Sequence, residues 1–219
     1  ILASRLQSSV APLLHPSQAG FLRGRGNLGH LLTMRLCLEQ TDMPLHVLLL
    51  DIAKAYDTVP WPRLLQALRR VGLPDAFCSL VNAMMRGSSS CVRTAFGLTE
   101  RFDQRRGVLQ GSPLSCLLFL IFFDPFICAA DTALGQDAFY VGAVRVGVLG
   151  LADDLSLLAK TAAALQRALD AVATLLTQCA MRLNETKCEY AYNAIVVSNK
   201  QPRAVLLNNI AIPTRSGAA

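Results

Sequence analysis

VGVLGLADDLSLLAK, Val146–Lys160, decides how this chain is read. Two adjacent carboxylates, Asp153 and Asp154, interrupt an otherwise apolar run, and the nearest cations in sequence are Arg145 and Lys160. An ionised Asp is costly to bury unless a cation faces it. The flanking apolar residues read as two strands, with Leu151–Asp154 at the tip of a hairpin from which both carboxylates can project. The same letters also suit a solvated surface turn, so other segments have to decide.

A second apolar run ends in the same way. LHVLLLDIA (Leu45–Ala53) follows Pro44 and is short and continuous, as a buried strand is, and it delivers Asp51 at its edge. Two such strands side by side would bring the acids together. Carboxylates about 4 Å apart repel by ~4 kcal/mol at an effective dielectric of 20. Mg²⁺, with Mn²⁺ as a substitute, removes that cost. It is a hard cation that takes carboxylate oxygens at ~2.0–2.1 Å and keeps some of its water. Two such ions ~3.5–4 Å apart stabilise the attacking and leaving oxygens of an in-line phosphoryl displacement.

The bulk properties agree with a folded chain. The 219 residues suffice for one sizeable core or two small domains. A 53% hydrophobic and 16% charged composition excludes disorder. The net charge of +6 suits a polyanionic partner, although proteins without such a partner share it. The seven cysteines (37, 78, 91, 116, 128, 179 and 188) form no CxxC and read as buried free thiols in a reducing compartment. The chain starts at Ile1 with no signal pattern and reads as a piece of a longer protein; no targeting run fixes its location. The longest uncharged apolar run, Leu114–Phe123, is shorter than the ~20 residues of a bilayer span. A buried helix and no membrane partner are therefore expected.

Periodicity predicts helices over Ile1–Leu14, Leu28–Gln40, Pro62–Val71, Pro74–Arg86, Ser112–Ala130 and Ala162–Met181. Gly72 and Gly87 end two of them. SCVRTAFG and TERFDQRRG alternate as a hairpin does, and residues 138–160 read as two strands joined by a turn. Short strand candidates follow at Cys188–Tyr190, Ala194–Ser198 and Ala204–Leu207. The fold class is α+β, since strands and helices do not alternate regularly.

LLLDIAKAYDTV, RRGVLQGSPLSCLLF and LGLADDLSLLA occur in this order, tens of residues apart, between QAGFLRGRG upstream and MRLNETKCEY downstream. Together these segments resemble the reverse transcriptase domain of non-LTR (LINE-like) retrotransposons over nearly the whole chain. The resemblance implies a polymerase palm, an antiparallel sheet with helices on one face, with part of the fingers. It divides the chain into partial fingers (1–44), palm (45–200) and the start of a primer-grip and thumb connection (201–219). It implies an RNA template, a DNA primer and a dNTP as partners, two Mg²⁺ ions, and the rest of a larger retroelement polyprotein.

Carried over by position, the resemblance makes Asp51, Asp153 and Asp154 the catalytic, metal-binding acids, and the Ile52 carbonyl completes one metal shell. Tyr56 falls where the family holds a ring against the sugar. A ring there excludes the 2′-OH that distinguishes RNA precursors from DNA precursors; a core aromatic is the plain alternative. Gln110, Gly111 and Ser112 fall where the family meets the incoming nucleotide, ahead of a helix opened by Pro113 whose free N–H groups favour anions. Lys187 matches the lysine that gives a proton to the leaving pyrophosphate, and a solvated lysine is its plain alternative. Arg23, Arg25, Arg105 and Arg106 are candidates for nucleic-acid phosphates or for simple solvation.

Four positions depart from the family pattern: Leu151 replaces an aromatic, Asn27 and Gly29 replace Thr and Asp, and Cys116 stands where Pro is frequent. A catalytically inactive retroelement relic, at most binding nucleic acid, is the second reading. A viral RNA-dependent RNA polymerase ranks lower, because Gly usually precedes its Asp pair.

Other residues take structural readings. Asp57 is expected to cap the helix beginning near Pro60–Pro62, and Trp61 to pack beneath it. Asp124 is expected to bind a backbone group or an Arg, and Asp131 and Asp137 to be solvated. His15, His30 and His46 show no ligand spacing. No Ser/His/Asp triad or P-loop is visible.

Overall fold

The five residues His46–Leu50 form strand β1 of a sheet. The structure, a computed structural model, describes residues 2–40, 43–193 and 204–216. In chain order the described residues give α1 (Leu2–Val10), α2 (Asn27–Leu38), β1, α3 (Ala55–Thr58), α4 (Trp61–Arg70) and α5 (Asp75–Arg86). Four short strands follow, β2 (Ser89–Ser90), β3 (Arg93–Thr94), β4 (Gly97–Leu98) and β5 (Phe102–Asp103). Next come α6 (Pro113–Leu134), β6 (Phe139–Val141), β7 (Val144–Val146), β8 (Val148–Leu151), β9 (Asp154–Ala159) and α7 (Ala162–Gln178). β10 (Glu189–Tyr192), β11 (Leu206–Leu207), β12 (Ile210–Ala211) and β13 (Thr214–Ser216) close the described part. The strand expected at Ala194–Ser198 lies outside the described residues.

The residues group into two compact units. One contains Ile1–Leu13 and Lys54–Phe122; the other contains Leu14–Ala53 and Phe123–Ala219.

The second unit is built on a five-stranded sheet in the order β13-β10-β1-β9-β8. All of its pairings are antiparallel except β10 with β13. β1 lies at the centre, with Leu48 opposite both Leu157 and Tyr190. Every residue of β1 except Leu49 is buried, which suits a nearly continuous apolar run rather than an alternating one. Side chains alternate across the sheet. Val47, Leu149 and Leu158 meet Cys37 of α2 and Phe139 and Val146 of the β6–β7 arm on one face. Gly150 on the opposite face lets Ile127 of α6 approach closely. α7 packs along β9 and β1, and the Thr161 hydroxyl caps it by accepting from the Ala164 N–H at 3.2 Å.

In the first unit, the expected hairpin is present as two short ladders, Arg93–Thr94 with Gly97–Leu98 inside Ser89–Ser90 with Phe102–Asp103. α4 and α5 pack together, and Gly72, in the left-handed region at φ +78°, ends α4.

Several local expectations need correction. Residues 138–160 form four strands, because β6 and β7 make a separate arm before the chain enters the main sheet. α6 continues past Pro125 to Leu134, so it spans 22 residues and is long and apolar enough by composition to cross a membrane. Most of it is buried inside the protein. Asp57 does not cap α4: Pro60 holds the cap position with no side-chain bond, and Asp57 lies within the one-turn helix α3. Asp131 and Asp137 are not merely solvated. Asp131 pairs with Arg145 and with His15 at 3.5 Å, and Asp137 pairs with Arg167 at 2.7 Å. Asp124, as expected, accepts a backbone bond, from the His15 N–H at 2.6 Å.

Candidate active site

Asp51 follows the last residue of β1, Asp153 lies in the turn of the β8–β9 hairpin, and Asp154 opens β9. β1 and β9 are hydrogen-bonded neighbours, with Leu50 opposite Leu155. The register therefore brings the two strand ends, and their acids, to one edge of the sheet. Asp51 and Asp153 are half-buried and Asp154 is exposed. Burial pushes the Asp153 carboxyl above its ordinary range, and the negative charges of Asp154 and Asp51 push it further.

The downstream element completes the group. The Asn184 N–H donates to the Asp51 carbonyl at 2.8 Å, and Ile52 bridges to Leu183. The turn then closes as the N–H groups of Lys187 and Cys188 donate to the Asn184 carbonyl at 3.0 and 3.1 Å. This leaves the Lys187 ammonium 3.7 Å from the Asp51 carboxylate, with the lysine largely exposed. Asp51, Asp154 and Lys187 line a cavity of about 460 Å³ together with Leu49, Ser156 and residues of α2.

Gln18 is a positioning residue that sequence reading missed. It is 1% exposed. Its Oε1 accepts from the N–H groups of Gly20 at 2.8 Å and Ala152 at 3.0 Å, while its Nε2 donates to the Ala152 carbonyl at 3.3 Å. Ala152 sits at φ +58°, a conformation that two-residue hairpin turns demand and that a residue with a side chain resists. The backbone adds two bonds, Ala19 N–H to Gly150 carbonyl at 2.8 Å and Gly150 N–H to Ser17 carbonyl at 3.1 Å. Gly20 is required here, because a Cβ at that position would lie 2.5 Å from the Ala152 nitrogen.

Of the loop arginines, Arg25 donates to the carbonyls of His15 at 3.3 Å and Gln18 at 3.0 Å. Arg23 is exposed and has no side-chain partner among the described residues.

The remaining candidates belong to the other unit. Tyr56, in α3, is half-buried and stacks on Phe119 at 4.6 Å between ring centres. The Tyr56 carbonyl accepts from the Val108 N–H at 2.8 Å, and the Val59 carbonyl accepts from the Gly107 N–H at 2.8 Å. This ties α3 to the loop before α6. Gly107 permits the approach: its φ is +89°, and a Cβ there would fall 2.8 Å from the Asp57 carbonyl oxygen. Trp61 donates its indole N–H to the Gly107 carbonyl at 2.8 Å rather than packing only beneath its helix. Gln110 and Gly111 are exposed and Ser112 is half-buried. The Gln110 amide donates to the Asp57 carboxylate at 3.1 Å. Arg105 is exposed, and Arg106 donates to the Thr58 carbonyl at 2.9 Å.

Among the described residues no three His, Cys, Asp or Glu side chains form a ready-made metal cage. The donor set nevertheless suits Mg²⁺, which is usually held by one or two carboxylates, waters and substrate phosphates rather than by an all-protein cage.

The family described as "Reverse transcriptase (RNA-dependent DNA polymerase)" matches over residues 1–206. The chain is 32% identical over 191 residues to a retrovirus-related Pol polyprotein of an R2 retrotransposable element from Popillia japonica, covering 85% of this chain and 26% of that protein. It is 31% identical over 191 residues to the R2DM polyprotein of Drosophila melanogaster, covering 86% of this chain and 18% of that protein. It is 28% identical to the transposon TX1 149 kDa protein of Xenopus laevis, covering 85% and 14%. The chain thus spans about a quarter or less of these relatives. In fold it is similar to the apo telomerase of Candida tropicalis truncated from its C-terminal domain. That match has a TM-score of 0.67 at 16% identity, over 91% of this chain and 41% of that one.

Proposed function

The chain belongs to the reverse transcriptase (RNA-dependent DNA polymerase) family, in the branch carried by non-LTR retrotransposons, and on that premise we propose that it catalyses RNA-templated transfer of dNMP from dNTP to a primer 3′-OH. The single observation that carries this reading is the convergence of Asp51 and Asp153 at one sheet edge. There the charge of Asp51 raises the cost of charging Asp153, and the Lys187 ammonium stands 3.7 Å from Asp51.

Asp51 and Asp153, with Asp154 and the Ile52 carbonyl, would hold two Mg²⁺ ions, Mn²⁺ substituting. Bound there, the metals lower the barrier of an in-line displacement at the α-phosphate by stabilising charge on its oxygens. Lys187 gives a proton to the leaving pyrophosphate, a role worth typically ~10²–10⁴-fold. Tyr56 excludes the ribose 2′-OH, Gln110–Ser112 meet the incoming nucleotide, and Arg23, Arg25, Arg105 and Arg106 meet phosphates of template or primer. Residues 45–200 act as the palm, within a larger polyprotein.

Primer extension on an RNA template tests the reading. Incorporation by the chain that is lost in Asp153→Ala supports it. Equal incorporation by both overturns the assignment of Asp153. No incorporation by either, with flanking segments restored, favours the inactive relic.

A further inference from the structure

The net charge of +6 is not spread evenly along the chain. The unit made of Ile1–Leu13 and Lys54–Phe122 holds ten of the 21 lysines and arginines but only four of the 15 acids, so it carries the whole surplus. The unit that contains Asp51 and Asp153 is balanced, eleven against eleven. A positive surplus confined to one unit is the electrostatic footprint of a polyanionic partner.

Within the charged unit, α4, α5 and the residues at the end of β5 line a groove of about 740 Å³. Arg69 of α4, Arg86 at the end of α5 and Arg105 after β5 face it, against one acid, Asp103. All three arginines are exposed. Arg69 meets Asp75 at 3.3 Å in a pair that is itself largely exposed, and Arg86 donates to the neutral Asn82 side chain at 3.3 Å. Guanidinium forks suit phosphate oxygens, and three of them on separate elements can follow a chain of phosphates rather than a single ion. Trp61, half-buried, lines the same groove, and its indole N–H is fixed on the Gly107 carbonyl at 2.8 Å. A basic groove with an aromatic ring is how single strands are held: the charges track the backbone and the ring stacks on an unpaired base. A duplex keeps its bases stacked inside and has none to offer the ring.

We propose that this groove binds an unpaired strand of RNA, with its phosphates at Arg69, Arg86 and Arg105 and a base on Trp61. The choice of RNA rests on the polymerase reading, in which the template is RNA. The fit to an unpaired strand does not.

Trp61 is the chain's single tryptophan, so its fluorescence reports on the groove directly. An oligouridylate of about twelve nucleotides, titrated into the 219-residue chain without metal or dNTP, should quench it saturably. Arg69→Gln with Arg86→Gln should weaken binding several-fold and lower the slope of log affinity against log salt by about 0.7 for each arginine removed. Arg93→Gln with Arg101→Gln removes the same charge from the same unit outside the groove, and should leave the slope nearly as it was. Absence of quenching, whether or not the RNA binds elsewhere, overturns the proposal. So does a loss from the Arg69 and Arg86 pair no greater than that from the Arg93 and Arg101 pair. Equal quenching by an RNA duplex, or quenching by oligothymidylate alone, overturns it as well. Each of these failures leaves the Asp51–Asp153 assignment standing, because the readout is binding rather than incorporation.

Discussion

Gln18 grips Ala152 at both its amide and its carbonyl, at 3.0 and 3.3 Å, and so fixes the turn from which Asp153 projects. The two residues are 134 positions apart in sequence. A non-glycine residue held at positive φ costs about 1–3 kcal/mol, which surrounding bonds must offset.

Gln18→Leu keeps the side-chain volume but leaves the Gly20 and Ala152 N–H groups buried without an acceptor. Each such group costs about 1–3 kcal/mol. Urea unfolding should show a loss of this size, and primer extension should fall with it although Gln18 is buried against the backbone. A variant as stable as the parent contradicts the clamp.

Gly20 and Gly29 should respond oppositely to alanine. A Cβ on Gly20 meets the Ala152 backbone at 2.5 Å, so Gly20→Ala should destabilise by about 1–3 kcal/mol, as overpacking does. Gly29 lies in α2 with nothing within 4 Å of a Cβ, so Gly29→Ala should stabilise by about 0.5–1 kcal/mol. Thermal melts of the two variants check both signs.

Lys187→Ala should lower the incorporation rate by ~10²–10⁴-fold. Its effect on folding stability should be within about 1 kcal/mol, because the lysine side chain is largely exposed. A full rate in the variant would remove the lysine from the chemistry.

Tyr56→Ala should admit ribonucleotides, while Tyr56→Phe should still exclude them. The alanine variant also loses the stack on Phe119, worth about 0.5–1.5 kcal/mol beyond area burial. The ratio of dNTP to rNTP incorporation is the measurement. An unchanged ratio in Tyr56→Ala leaves the ring as a core aromatic.

Acid should weaken the fold through His46. Burial holds its pKa below the ordinary 6.5, and its Nδ1 lies 2.6 Å from the Tyr190 hydroxyl on the neighbouring strand. The unfolded chain then binds a proton first. The histidine's contribution is intact above pH 6.5 and is lost as pH falls from there towards the lowered folded value. His30, also lowered chiefly by burial, adds to the same slope. Melting temperature should drop below pH 6.5, and His46→Gln should drop less steeply.

What was legible in the sequence was what the chain must do locally. Asp51 and Asp153 stood out because each is an acid delivered at the edge of an apolar run. The long α6 was readable from its composition, but not its passage through Pro125. That residue interrupts helices in water, whereas here the segment is buried and apolar. Gln18 was illegible because a loop glutamine carries no period, and its meaning exists only once β8 lies beside it. Asp57 looked like a helix cap from its position, yet a one-turn helix intervened and its carboxylate met Gln110 instead.

The central claim is that Asp51 and Asp153 together hold divalent cations. The most direct measurement is the free Mn²⁺ signal by electron paramagnetic resonance, titrated against the chain with dNTP and primed RNA present. The account predicts two bound Mn²⁺ per chain in excess of that held by nucleotide and RNA alone, and loss of this uptake in Asp51→Asn and in Asp153→Ala. Equal uptake by the parent and both variants would contradict it.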